Sequence, residues 1–209
     1  MMKNNELSLI YVWDAYCGWC YGFSKSLRTF LQNHLELPIQ VLSAGLFVGD
    51  RSQSIAAYPH IPEANKRIGQ LTGAVFGSSY DKLLNEGTFI MDSEAAAIGF
   101  SALRSLAPER VVYLAAAMQR AFYYEGKSLS DLETYQEIAK QFDLDEQRLI
   151  ERIKTPETLG EVKQEFLIAA NLGARSYPTL FLKKEDGLYN LGGGAVTAEK
   201  LEEKFAELI

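Results

Sequence analysis

Hydrophobic residues follow a different spacing in the middle of this chain than at its two ends. The first apolar run, residues 7–13, is continuous and rich in β-branched and aromatic residues, which is typical of a buried strand. Apolar residues then recur at helical spacing and predict a helix over residues 17–34. A second apolar run at residues 39–42 predicts another strand. The beginning of the chain therefore forms a strand–helix–strand unit.

Between residues 50 and 155, apolar residues recur at intervals of three and four, which predicts an almost entirely helical block. Ala95, Ile98 and Leu103 form one such stripe, and we interpret it as the core of a helical bundle. The predicted helices span residues 63–71, 80–85, 93–106, 109–124, 129–142 and 145–153.

Strands return after one more helix, predicted over residues 156–172 and stopped by Gly173. Residues 179–182 and 188–191 are short apolar runs separated by a Glu-Asp-Gly turn, which indicates a hairpin. Three glycines at residues 192–194 indicate a bulge or a close backbone approach. A final amphipathic helix is predicted over residues 197–208.

The chain has two cysteines in 209 residues, and both lie in the stretch DAYCGWC at residues 14–20. Such a pair is a redox dithiol, half of a metal site or an incidental buried pair. If the first helix begins at Cys17, its free N–H groups and its dipole favour a thiolate there, the attacking species in disulfide exchange. Cys20, about one turn later, is placed to attack the mixed disulfide and release the substrate.

The composition of the chain limits the kinds of molecule that we expect it to bind. Acidic residues outnumber basic ones, 27 to 21, and no run of lysine and arginine stands out, so we expect no nucleic-acid partner. We see neither a secretory signal nor a run approaching the roughly 20 apolar residues that span a bilayer. We therefore expect a cytoplasmic protein with no membrane partner, where paired thiols are usually catalytic or metal-binding. Without a dinucleotide or Walker motif, no organic cofactor is expected.

The order of elements, the cysteine pair that opens the first helix and a proline before the late strand together resemble the thioredoxin fold. The helical block is similar to that of the DsbA family. The stretches DAYCGWCYGF at residues 14–23 and MDS at residues 91–93 resemble the cytoplasmic FrnE-like branch of that family. The resemblance implies an α/β, thioredoxin-like domain made of residues 1–49 and 156–209. Residues 50–155 would be its large all-helical insertion, packed over the active-site side.

The resemblance also implies roles for individual residues. Cys17 would be the exposed nucleophile and Cys20 the buried resolving thiol of a thiol-disulfide oxidoreductase or disulfide isomerase. Pro178 would be a cis-proline facing them, and Tyr177 would offer backbone contacts to a protein or small-thiol substrate. From the residues alone, Pro178 is either cis or a trans proline that opens an edge strand. Trp19 either forms part of an exposed apolar rim that contacts substrate or packs in the interior of the fold.

Two further features leave alternatives open. Asp14 either relays protons to Cys20 or accepts backbone hydrogen bonds near the helix start. The family's strong oxidants carry a histidine between the cysteines, whereas this chain has Gly18 and Trp19. One source of thiolate stabilisation is therefore missing, and the redox direction is open.

Three rival functions compete with the redox dithiol. Zinc needs four ligands, and besides the cysteines the chain offers only His34 and His60, which one chain does not easily gather. We expect no metal, and a zinc ion shared between two chains is the alternative. A glutathione-dependent transferase or isomerase of the kappa type typically has a serine where Cys17 stands. A non-catalytic chaperone or adaptor on the same fold would not need the cysteines. The sequence predicts no oligomeric state.

Overall fold

A four-stranded mixed sheet forms the centre of the computed structural model, which describes residues 7–209. Residues 1–6, assigned above to the thioredoxin-like domain, lie outside the described part. The strand order is β2-β1-β3-β4; β1 runs parallel to β2 and antiparallel to β3, and β3 and β4 form a hairpin. The strands are β1 (Ser8–Trp13), β2 (Ile39–Ser43), β3 (Thr179–Lys184) and β4 (Gly187–Gly192).

The central strand β1 is apolar throughout because helices cover both of its faces. Leu9, Tyr11 and Trp13 pack with α1 (Gly18–Gln32) and α9 (Ala198–Leu208) in the larger core. Ile10 and Val12 point to the opposite face, where they meet α8 (Pro156–Asn171). Alternate residues of a strand point to opposite faces, so burial on both sides yields a continuous apolar run rather than an alternating one.

The segment from residue 50 to residue 155 is helical, as predicted, and within the described chain it adds no strand to the central sheet. Its extended backbone amounts to an isolated bridge between Ser54 and Ile90. None of the helices in residues 7–209 is long and apolar enough to cross a membrane. The inserted helices are α2 (Ile61–Thr72), α3 (Ser78–Glu86), α4 (Ser93–Leu106), α5 (Val111–Tyr123), α6 (Leu132–Gln141) and α7 (Glu146–Lys154).

The predicted core stripe of α4 is partly wrong. Leu103 is fully buried, but Ala95 and Ile98 are only half-buried. The buried face instead carries Ala96 and Phe100, because α4 packs against the bundle on one side and against α8 on the other. Because α4 packs against neighbours on two sides, its buried face is wider than a single apolar stripe. The spacing of apolar residues alone therefore did not locate the centre of that face.

A partly buried ion pair joins the insertion to the sheet and to α8. Arg104 of α4 contacts Glu165 of α8 at 2.6 Å, and its other terminal nitrogen donates to the Val41 carbonyl at 2.6 Å. The second oxygen of Glu165 accepts a hydrogen bond from the Ser43 backbone N–H at 2.5 Å. The arginine and the glutamate therefore fix α4 and α8 against the same edge of β2.

Candidate active site

Cys17 lies at the point where the chain turns from β1 into α1. It is the N-cap residue, with extended backbone angles (φ −85°, ψ 109°), and the helix begins at Gly18. Its backbone N–H donates to the Asp14 carbonyl at 3.1 Å, and its own carbonyl accepts from the Tyr21 N–H at 3.1 Å. Cys17 therefore stands at the N-terminal end of α1, where the helix dipole stabilises a negative charge, although its sulfur makes no capping hydrogen bond to the helix N–H groups.

Cys20 lies one turn further along α1 and faces the core. Its exposed fraction is 0%, whereas that of Cys17 is 7%, so Cys17 is the less buried thiol, as expected, but it is not the exposed one that the resemblance implied. Burial is the main cause that raises the pKa of Cys20 well above its usual value, and the hydrogen bond and charge of Cys17 raise it further. Both cysteines are free thiols, so the structure describes the dithiol form.

The loop before β3 faces the cysteine pair. The Tyr177–Pro178 peptide bond is cis, one of the two alternatives that the sequence left open. The Cys17 sulfur donates to the Tyr177 carbonyl at 3.4 Å. This approach follows from sheet topology: β3 runs antiparallel beside β1, with Thr179 opposite Val12, so the start of β3 lies at the end of β1.

Glycine is required at position 193 to seat this loop. A Cβ atom at Gly193 would lie 2.0 Å from the Pro178 carbonyl oxygen, far inside any allowed contact. The β3–β4 register also shifts between Leu180 and Phe181, opposite the stretch that ends at Gly192. The glycine run therefore provides both the bulge and the close backbone approach that were predicted.

Asp14 is buried and joins three parts of the chain. One carboxylate oxygen accepts from the Tyr16 backbone N–H and from the Ser93 hydroxyl, both at 3.0 Å, and the other accepts from the Leu46 N–H at 2.8 Å. Burial raises the pKa of Asp14, although the hydrogen bonds from Leu46, Tyr16 and Ser93 act in the opposite direction. The contact with Tyr16 near the helix start was predicted, whereas the contact with Leu46 after β2 and the contact with Ser93 of the insertion were not.

Two cavities flank Trp19, which is half-buried. The sheet-side cavity, of about 410 Å³, lies between Trp19 and the glycine run, and Tyr177 and Pro178 line it. The insert-side cavity, of about 140 Å³, opens beside Cys17. The structure thus brings the predicted residues Cys17, Trp19, Tyr177 and Pro178 to one surface, with Cys20 and Asp14 beneath it.

The insertion supplies most of the insert-side cavity, as expected of a helical block packed over the active-site side. Helix α2 packs across the first turn of α1 so closely that a Cβ atom at Gly18 would lie 3.0 Å from Ile68. The spacing of apolar residues indicated a bundle core for these helices, but it did not show which of their side chains border the thiol. The residues from the insertion that line this cavity are His60, Ile61, Ala64, Asn65, Ile68, Tyr80, Met91, Phe122 and Tyr123.

Neither histidine joins the two cysteines in a metal site. His34 follows α1 at its far end and contacts Glu202 of α9 at 2.6 Å. His60 is exposed at the start of α2. In residues 7–209 there is no group of three or more histidine, cysteine, aspartate or glutamate side chains that could hold a metal ion.

The sheet, the thiol pair at the start of α1 and the opposing cis-proline loop define a thioredoxin-fold protein with a dithiol site. The model of the DSBA-like thioredoxin domain family matches residues 8–206, and the chain belongs to this family of thioredoxin-fold oxidoreductases. No curated protein matches the sequence.

Solved structures resemble the chain over nearly its whole length. The cytosolic disulfide reductase DsbM from Pseudomonas aeruginosa is 26% identical, with a TM-score of 0.81 and 96% of each chain covered. A structure of DsbM with GSH is 27% identical, with a TM-score of 0.78 and the same coverage. A Nitrosomonas europaea protein provisionally named a disulfide isomerase is 23% identical, with a TM-score of 0.83 and 97% of each chain covered; at that identity it shows the fold alone.

Proposed function

We propose that this protein is a thiol-disulfide oxidoreductase that works through Cys17 and Cys20. The observation that carries the proposal is the position of the two sulfurs. Cys17 is the more exposed thiol and touches the Tyr177 carbonyl at the start of a helix, while Cys20 is fully buried behind it. A nucleophile that is accessible and a partner thiol that is kept protonated are the two parts that disulfide exchange needs.

The proposed reaction transfers two electrons from the dithiol to a substrate disulfide. The Cys17 thiolate attacks one substrate sulfur, forming a mixed disulfide and releasing the other substrate sulfur as a thiolate, which takes up a proton. Cys20 then loses its proton and attacks the Cys17 sulfur, which forms the Cys17–Cys20 disulfide and releases the second substrate thiol. When the substrate is a protein disulfide, two molecules of glutathione return the pair to the dithiol and leave as glutathione disulfide. When the substrate is glutathione disulfide itself, a different thiol reductant, such as dithiothreitol, supplies the two electrons.

The raised pKa of Cys20 gives this order a physical basis. A buried thiol that stays protonated does not compete with Cys17 for the incoming disulfide. Asp14 lies beneath the pair and either accepts the Cys20 proton during the second step or only holds the loop in place. We assign it the positioning role, because its carboxylate oxygens already accept three hydrogen bonds.

We propose small-thiol disulfides and protein disulfides as substrates, held by the Tyr177 backbone and the apolar ring of Trp19. Two observations favour the reducing direction. The dipeptide Gly18-Trp19 supplies no cation to the Cys17 thiolate. The similar protein DsbM is named a cytosolic disulfide reductase and has been solved with GSH. We accordingly propose a cytoplasmic location and glutathione disulfide as the first substrate to test.

The test compares Cys17→Ser and Cys20→Ser with the wild-type protein in the reduction of glutathione disulfide by dithiothreitol, after subtraction of the uncatalysed rate. We expect Cys17→Ser to lose turnover, and Cys20→Ser to accumulate a glutathione adduct on Cys17 that intact-mass spectrometry detects. Mild alkylation of the reduced wild-type protein should label Cys17 before Cys20. Full turnover by Cys17→Ser, or first labelling of Cys20, would contradict the assignment.

The same variants separate the rival functions. A kappa-type transferase would retain conjugation of glutathione to an electrophile in Cys17→Ser, because serine is the working residue there. A non-catalytic chaperone would suppress aggregation equally well with both cysteines replaced. A measured reduction potential of the Cys17–Cys20 pair, determined by equilibration with glutathione, distinguishes a reductase from an oxidant or isomerase.

We further propose two features that go with this function. Residues 1–49 and 156–209 are assigned to the thioredoxin-like domain and residues 50–155 to the inserted helical domain. The insertion would restrict substrate access from its side, because α2 and α5 border the cavity beside Cys17. Within the family, the stretches at residues 14–23 and 91–93 favour the FrnE-like branch.

A further inference from the structure

A second concave surface lies outside the thiol site, between α1, the end of α2 and α5. This cationic cleft has a volume of about 370 Å³. Neither cysteine, nor Trp19, nor the loop of Pro178 borders it. Its side chains come from α1, the end of α2, α5 and the end of α6 with the residue that follows it. Those that matter for its chemistry are Tyr21, Lys25, Arg28, Tyr113, Arg120 and Phe142.

The charges in this cleft are of one sign. Three cations line it and no aspartate or glutamate does, although acidic residues outnumber basic ones in the chain as a whole. Lys25 and Arg28 have no ion-pair partner within residues 7–209. Arg120 pairs through its Nε atom with Glu125 at 3.2 Å, and its guanidinium stacks on the ring of Tyr124. The cleft therefore lacks negative charge.

The lack of negative charge in the cleft affects Arg28 most. It is half-buried, and one of its terminal nitrogens donates to the Ser24 hydroxyl at 2.5 Å. Burial lowers the pKa of Arg28, although the nearby tyrosines Tyr113, Tyr11 and Tyr21 act in the opposite direction. Removing a charge from water costs free energy unless an opposite charge compensates for it. Nothing in the described chain provides that compensation.

We propose that the cationic cleft binds a small ligand through a phosphate or carboxylate group. The Arg28 guanidinium matches the two oxygens of such a group with parallel N–H donors, and Lys25 and Arg120 flank it with further positive charge. Phe142 and the small residues Ala116 and Ala117 form an apolar wall for the carbon part of the ligand. The volume is that of a site for one small molecule.

Isothermal titration calorimetry of the full-length protein tests this proposal, with pyrophosphate as the phosphate probe and citrate as the carboxylate probe. Arg28→Gln and Lys25→Gln each remove one cleft cation. Lys163→Gln removes the same charge from the exposed surface of α8, outside the cleft, and is the matched control. Far-ultraviolet circular dichroism and thermal unfolding check that each variant is folded, and Arg28→Lys replaces Arg28→Gln if that variant is not.

We expect saturable one-to-one binding of one probe, which identifies the oxyanion. Arg28→Gln should weaken that binding about tenfold, the loss typical of a hydrogen bond to a charged group, and Arg28→Lys should also weaken it by removing the paired donors. Lys163→Gln should change it less than about twofold, as surface charges do in salt. Absence of saturable binding by both probes would overturn the proposal. Equal losses in a folded Arg28 variant and in Lys163→Gln would also overturn it, because they would indicate general surface charge.

Discussion

Replacing Gly193 with alanine tests how the loop of Pro178 is held against the thiols. An alanine Cβ would lie 2.0 Å from the Pro178 carbonyl oxygen and 2.8 Å from its carbonyl carbon, whereas ordinary contact begins near 3.4 Å. Relief requires one backbone segment to move by roughly 1.4 Å, because neither contact involves a flexible side-chain end. The next residue back, Tyr177, carries the carbonyl that accepts from Cys17, so this displacement reaches the site.

The size of the effect follows from the same geometry. Overpacking of this kind costs about 2 kcal/mol, which for a chain of this length lowers Tm by about 6 °C. A displacement of about 1 Å at a reacting centre can lower a rate about 100-fold. We therefore expect Gly193→Ala to reduce glutathione disulfide 10- to 100-fold more slowly than the wild type, to an order of magnitude, while its helices remain folded.

Calorimetric unfolding and initial rates of disulfide reduction provide the measurements. Gly160→Ala is the matched control, because Gly160 lies in α8 and a Cβ atom there would meet nothing within 4 Å. Alanine is the better helix former by about 1 kcal/mol, so this control should be neutral or slightly more stable, with an unchanged rate. If Gly193→Ala matched the wild type in both Tm and rate, the reasoning about the loop would be refuted.

Two further substitutions test the contacts that join the insertion to the rest of the chain. Asp14→Asn replaces the oxygen that faces the Leu46 N–H with an amide nitrogen, and should destabilise the protein by about 1–3 kcal/mol in urea unfolding. Because burial raises the pKa of Asp14, the wild-type protein loses stability as pH rises from the ordinary pKa of an aspartate through the raised pKa of Asp14. Its advantage over Asp14→Asn should therefore shrink as pH rises through this range, and a constant gap would contradict this. Glu165→Gln removes the negative charge that pairs with the partly buried guanidinium of Arg104 and should cost about 1–3 kcal/mol. Glu146→Gln, which breaks a more exposed ion pair with Lys140, is the control and should cost under about 1 kcal/mol, so equal losses in the two variants would contradict the reasoning.

Local patterns determined which elements form and in what order. The apolar run of β1 and the helical spacing of α4 predicted these elements to within a residue of their observed bounds. Helix α6 begins at Leu132, three residues later than predicted. Leu129 instead lies in the preceding loop, where its carbonyl accepts from the Tyr135 hydroxyl at 2.6 Å. A buried leucine at helical spacing looks the same in a loop as in a helix, so periodicity alone did not locate that boundary.

The sequence by itself also determined that two thiols one turn apart would stand at the start of a helix, because both the spacing and the helix are local properties. Tertiary structure decided everything that connects distant segments: the Ser93 hydroxyl on Asp14, α2 across Gly18, and Gly193 against the Pro178 carbonyl. The spacing of apolar residues does not specify which face of a helix packs against which neighbouring element. Those contacts arise only when the chain is closed around its core, where close packing leaves a single arrangement that satisfies the buried groups.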